Sequence, residues 1–180
     1  MQFDAIIIGV CISGLYQLHC LRQLGLTVRV FESGTGVGGT WYWNRYPGAR
    51  FDSESYSYGY SFSAELMDEW DWTEHFSPQP KTLEYLNFVA DKFDLRRDIT
   101  FSARVTAAHW QEATRDWQVT LEDGSRHTAR FLVTAIGPLS APTMPKIPGI
   151  DDFKGFSNRT ARLTSAYRLR LQIDCAHGRQ

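Results

Sequence analysis

Two stretches of this sequence hold residue types that could do chemistry together. Gly9-Val10-Cys11-Ile12-Ser13-Gly14 has glycines at its two ends, and Glu32 follows further along. A turn of this kind, leaving a strand and opening a helix, presents backbone N–H groups and a positive helix end to a pyrophosphate. An acid at the spacing of Glu32 accepts hydrogen bonds from ribose hydroxyls. The second stretch, Gly38-Gly39-Thr40-Trp41-Tyr42-Trp43-Asn44-Arg45-Tyr46-Pro47-Gly48-Ala49-Arg50-Phe51-Asp52, mixes large rings, two arginines, a proline turn and an acid. Neither helical nor strand periodicity runs through it, so it reads as a loop shaped to hold a planar, charged ligand. The bland alternative is an irregular loop with aromatic packing.

One position departs from the phosphate-turn pattern. The middle glycine, which lets a backbone approach phosphates closely, is Cys11. A cysteine there adds bulk and is expected to meet a backbone angle it tolerates poorly. The competing reading is a strand-turn-helix with no ligand. As a thiol, Cys11 has no neighbouring histidine or paired cysteine in the sequence, so it reads as a small buried residue.

The elements that must position these residues follow from periodicity. Phe3 to Gly9 is a β-branched apolar run, the pattern of a buried parallel strand. Ser13 to Leu24 carries Leu15, Leu18, Leu21 and Leu24 at helical spacing, with Gly25 as its stop. Thr27 to Phe31 is a second strand, closed by Glu32, which completes a βαβ unit. Thr82 to Phe93 reads as an amphipathic helix. Thr100–Trp110, Trp117–Glu122 and Arg126–Phe131 look like a small antiparallel meander inserted into the α/β pattern, and Phe131 to Gly137 then resumes as a buried strand. Pro138, Pro142, Pro145 and Pro148 stiffen the following connection. From about Phe156 the arginines are scattered among polar residues without a sustained apolar face, and Leu163 to Ile173 is at most a weak helix.

Composition excludes several classes. At 180 residues with 43% hydrophobic and 22% charged residues, the chain fits one soluble globular domain. Its net charge of −1 gives no electrostatic case for nucleic acid or an anionic membrane. Cys11, Cys20 and Cys175 are unpaired in pattern, which fits a reducing, cytoplasmic compartment. No segment approaches the length of a membrane span. His19, His75, His109, His127 and His177 show no metal-ligand spacing, so no metal site is expected. Trp70-Asp71-Trp72 reads as a packed cluster at least as readily as a ligand contact. Ser53, Ser55 and Ser57 lack the elbow that supports a nucleophile.

The turn, Glu32 and the loop through Asp52 together resemble the N-terminal part of the Baeyer–Villiger monooxygenases, a class of flavoprotein. The resemblance continues through Asp52 to Tyr58, Trp70 to Glu74, Tyr85 to Leu95, and Ala135-Ile136-Gly137. It implies an α/β fold, a Rossmann-like FAD-binding unit over residues 1–155 with a parallel sheet and an inserted meander, cut from a larger two-dinucleotide flavoprotein. It also implies FAD and NADPH as cofactors, and the insertion of one oxygen atom of O2 beside a ketone carbonyl. By matching position, Gly9, Cys11 and Gly14 frame the FAD pyrophosphate, Glu32 its ribose and Val105 its adenine. Thr40, Trp41 and Trp43 line the flavin side of the loop, with Tyr58 near the flavin. Arg50 and Asp52 lie near the nicotinamide–flavin junction. Asp52 carries the catalytic expectation, matching an acid that supports an arginine beside the oxygenated flavin.

The family's linker signature can be laid on Phe153 and Gly155, but its histidine falls on Arg159 and its tryptophan on Leu163. Residues 156–180 are therefore expected to be an atypical tail, and the chain a truncated copy that does not complete a catalytic cycle. A non-catalytic flavin-binding remnant is one alternative. An N- or S-oxidising flavin monooxygenase is another, which the tryptophan-rich loop argues against.

Overall fold

The computed structural model describes residues 2–141, 143, 146–152 and 154. The expected tail, the linker position at Phe153 and Gly155, and Cys175 and His177 lie outside the described residues. The first strand, β1 (Gln2–Ile8), leads through the glycine turn into α1 (Ile12–Gln23) and back into β2 (Val28–Phe31). β1 and β2 pair in parallel, with Ala5 opposite Val28 and Ile8 opposite Phe31. Their alternate side chains serve two cores. Ala5, Ile7, Val28 and Val30 face α1, where Leu15 and Leu18 are fully buried. Ile6 and Phe31 face the opposite side. That two-sided burial is why these strands read as continuous apolar runs.

The excursion after β2 contains short helices α2 (Thr40–Trp43), α3 (Ser55–Tyr58) and α4 (Ala64–Glu69), then α5 (Gln79–Lys92). Ser63 caps α4 by accepting a hydrogen bond from the Leu66 N–H. Tyr85, Leu86, Val89 and Ala90 turn the buried face of α5 to the same core as α1. Trp70 and Trp72 join that core, their rings 5.7 Å apart and 4.9–5.1 Å from Tyr85, with Trp70 also 5.4 Å from Phe88, so the packing reading of this pair is the one the structure supports.

The sheet order is β3-β2-β1-β6-β5-β4, from β3 (Ile99–Thr100), β4 (Val105–Gln111), β5 (Asp116–Leu121) and β6 (Arg126–Thr134). Three expectations change here. Thr100–Trp110 is not one strand: Ser102 takes a left-handed φ of 53°, which breaks β3 from β4. Arg126–Phe131 and the later buried strand are one continuous strand, because β6 pairs antiparallel with β5 along one edge and parallel with β1 along the other. The meander therefore extends the parallel sheet. Nor is the second half of β6 fully buried, since Phe131 is 50% exposed. Its apolar composition reads the same as that of β1, and only the placement of α1 and α5 over β1 and β2 separates the two cases. Among the described residues, no helix is long and apolar enough to cross a membrane and no cluster of metal-ligating side chains forms.

Candidate functional site

The carboxyl ends of β1 and β2 meet where the glycine turn begins. Gly9 donates its N–H to Phe31 O at 2.9 Å, which ties the two strand ends together. Gly14 lies in the first turn of α1, and a Cβ placed there would fall 2.1 Å from Gly9 O. Only a glycine permits that approach of helix to strand. The Leu15 N–H, bonded to Cys11 O at 3.0 Å, is the first to close a bond into the helix start. The N–H groups of Ile12, Ser13 and Gly14 come before it, the orphan donors that favour an anion.

Cys11 occupies the N-cap at φ −95°, within the region open to any residue, so the expected backbone conflict does not occur. Its Sγ points toward the aromatic loop and donates to Gly38 O at 3.1 Å. Gly39 makes room for it: a Cβ on Gly39 would sit 2.5 Å from the Cys11 Cβ. The cysteine thus packs against the loop, and burial raises its thiol pKa, as suits an inert packing residue.

Glu32 is 4% exposed, and its carboxylate is bonded mainly to backbone. Its carboxylate accepts from the Val10 N–H at 2.9 Å and the Gly34 N–H at 2.7 Å. A carboxylate offers roughly four acceptor positions, which leaves capacity for a hydroxyl. Ala103 N bonds Glu32 O at 2.8 Å, and this leads into Val105 beside the second core cluster.

The aromatic loop closes over the same region. Gly38 N bonds Val10 O at 2.9 Å, and Thr40–Trp43 then form a single helical turn. Trp41 is buried and donates its indole N–H to the Tyr58 hydroxyl at 2.7 Å. Phe51 stacks on Tyr58 with ring centroids 4.2 Å apart, and Trp41 meets Phe51 edge-on at 5.7 Å. Burial pushes the Tyr58 hydroxyl up to about 12. Trp43 is 52% exposed and touches Tyr42 rather than this wall. Arg50 turns away from Asp52: its guanidinium binds Glu74 at 3.1 Å and Phe76 O at 2.7 Å. Asp52 is exposed, and among the described residues it makes no ion pair.

The fold thus gathers Gly9, Cys11, Gly14, Glu32, Thr40 and Trp41 around one edge, with Tyr58 behind Trp41. Arg50, Asp52 and Trp43 stand at the loop surface. Several supporting residues carried no sequence signal. Ser55 and Gln79 are buried polar side chains, and Tyr60 donates its hydroxyl to Ile12 O at 2.6 Å, locking the loop to α1. Pro78 and Pro80 mark a helix start, yet nothing local indicates that Gln79 between them is buried.

Comparison with known proteins gives this geometry its context. The family described as FMO-like, flavin-binding monooxygenase-like, matches residues 4–166. A Baeyer-Villiger monooxygenase of Pseudooceanicola batsensis is 51% identical over 155 residues, covering 86% of this chain and 28% of its own length. A phenazine N-monooxygenase of Lysobacter antibioticus is 48% identical over 155 residues, covering 86% and 29%. A crystal structure of OTEMO in complex with FAD and NADP superposes with a TM-score of 0.82 at 49% identity, covering 90% of this chain and 30% of its own. The chain spans about 30% of the length of the curated relatives it matches. An N-oxidising relative and a Baeyer–Villiger relative match almost equally, so similarity over this segment does not separate the two chemistries. With its glycine turn, buried acid and tryptophan loop at the ends of β1 and β2, and with a family match across most of its length, this chain belongs to the flavin-binding monooxygenases.

Proposed function

We propose that residues 1–155 are the FAD-holding part of a Baeyer–Villiger monooxygenase that uses NADPH and O2 to insert one oxygen atom into a ketone. Residues 156–180 lie outside that unit. The observation that carries this reading is the convergence of orphan helix amides, a buried carboxylate and an aromatic wall at one edge of a parallel sheet. The chain's own residues fit the cofactor. Gly14 packs on Gly9 O with no room for a Cβ, and the Cys11 thiol is directed to Gly38 O. In this reading the amides of Ile12, Ser13 and Gly14 hold the pyrophosphate, Glu32 the ribose and Val105 the adenine. Thr40, Trp41, Trp43 and Tyr58 border the flavin, and Arg50 and Asp52 face the nicotinamide side. Bound FAD supplies the redox and oxygen chemistry, while the protein supplies position and electrostatics. A cytoplasmic location without nucleic-acid partners accords with the net charge of −1 and the unpaired cysteine pattern.

The nearly equal match of the phenazine N-monooxygenase supports heteroatom oxidation as a second reading. Flavin holding is common to both and is tested directly. The purified chain, incubated with excess FAD and then desalted, should retain flavin absorbance and melt at a higher temperature. Absence of both effects overturns the proposal. Replacing the matching segment of the P. batsensis enzyme with residues 1–155 then tests the chemistry, and retained ketone oxidation favours the first reading.

A further inference from the structure

The aromatic loop has only the single helical turn Thr40–Trp43, yet it is held at a defined place. What holds it is the segment Glu74–Gln79. Ser55, 2% exposed, donates its N–H to His75 O at 2.8 Å and its hydroxyl to Glu74 O at 2.6 Å. Arg50 bonds Phe76 O. Gln79 makes the two contacts that span the loop. Its backbone N–H donates to Ala49 O at 2.8 Å, and its side-chain Nε2 donates to Trp41 O. Gln79 is 7% exposed, so neither contact competes with bulk water.

The Trp41 carbonyl needs such a donor. In a continuing helix the N–H four residues later would take it, but α2 ends at Trp43. A buried carbonyl without a partner is costly, so the Gln79 amide determines whether the turn Thr40–Trp43 keeps its shape. The same turn carries the indole that holds Tyr58.

We propose that Gln79 is a positioning residue for the flavin end of the site, fixing Trp41 and Ala49 relative to the phosphate turn while making no demand on the nucleotide end. This rests on the FAD reading above. Its distinctive consequence is a split between two probes. FAD spans both the turn and the loop, whereas ADP reaches the turn, Glu32 and Val105 but not the flavin side of the loop.

Gln79→Met retains the length of the side chain and removes the donor. Gln79→Glu sets a carboxylate against the carbonyl, and only its protonated form can donate. FAD binding by the 180-residue chain should weaken about tenfold in Gln79→Met, the effect of one lost buried hydrogen bond, while ADP binding stays within about twofold. In Gln79→Glu the FAD affinity should recover as pH falls through the carboxyl titration, which also serves if the methionine variant does not fold. Parallel loss of FAD and ADP binding assigns Gln79 a general structural role and overturns the proposal, as does unchanged FAD binding in both variants. A wild-type chain that binds ADP but not FAD overturns the flavin reading and this inference together, and one that binds neither probe does the same.

Discussion

The phosphate turn and the aromatic loop lie side by side but are built in opposite ways. The turn, Gly9 to Gly14, is a backbone construction. Its shape comes from two strand ends, a helix start and the missing Cβ of Gly14 against Gly9 O, with Glu32 bonded to the backbone N–H groups of Val10 and Gly34. The loop, Gly38 to Asp52, together with Tyr58 from α3, is a side-chain construction. Trp41, Phe51 and Tyr58 form its wall, and polar side chains from elsewhere, Gln79 and Tyr60, fasten it. Cys11 joins the two through its bond to Gly38 O. A backbone site tolerates almost no added atom, whereas a side-chain site tolerates change in proportion to each contact removed.

That contrast can be broken in order of severity. Gly14→Val places a branched side chain where a single Cβ is already 2.1 Å from Gly9 O. It should cost about 3 kcal/mol in urea unfolding and abolish FAD retention; a stable Gly14→Val chain would show that helix and strand can separate there. Trp41→Phe keeps a ring against Phe51 but removes the donor to Tyr58. A loss of about 1–2 kcal/mol is expected in the same assay, and a neutral result would mean that the wall stands on ring packing alone.

The next effect is read through pH. Tyr58 is pushed up to about 12 by burial, above the ordinary value near 10. The unfolded chain therefore releases this proton first, and stability should fall as pH rises between about 10 and 12. Burial raises Tyr60 as well, so Tyr58→Phe should lessen the slope of stability against pH without removing it. An unaltered slope would exclude Tyr58 as a source. Glu74→Gln should do least. The Arg50–Glu74 pair is about half exposed on both sides, and its loss is expected to change stability by less than about 1 kcal/mol. A larger loss would move Arg50 from the loop surface into its framework.

Local elements were legible from the residues themselves. The β1-α1-β2 unit follows from β-branched runs, leucines at helical spacing and a glycine turn, all of which act within a few residues. The helix expected over Thr82 to Phe93 was legible too, although its start at Gln79 was not. β6 reads from sequence as two strands because of a hydrophobic change at Phe131, whereas the strand is continuous and changes its partners instead. Cys11 was misjudged for a related reason. Its tolerance depends on φ and on the space left by Gly39, and residue type reveals neither.

The sequence by itself determined the type of site: glycines at the turn, an acid after the second strand and a specific tryptophan loop are chemical identities, and they identify a flavin-binding family without coordinates. Only the tertiary structure decided how that site is held. It directed Cys11 into the loop, paired Arg50 with Glu74 and left Asp52 exposed. It also brought Gln79 to Trp41 across 38 positions of chain. The physical reason is range. Backbone conformation answers to neighbouring residues, but the satisfaction of a buried carbonyl or hydroxyl depends on whichever distant donor the packed core delivers to it.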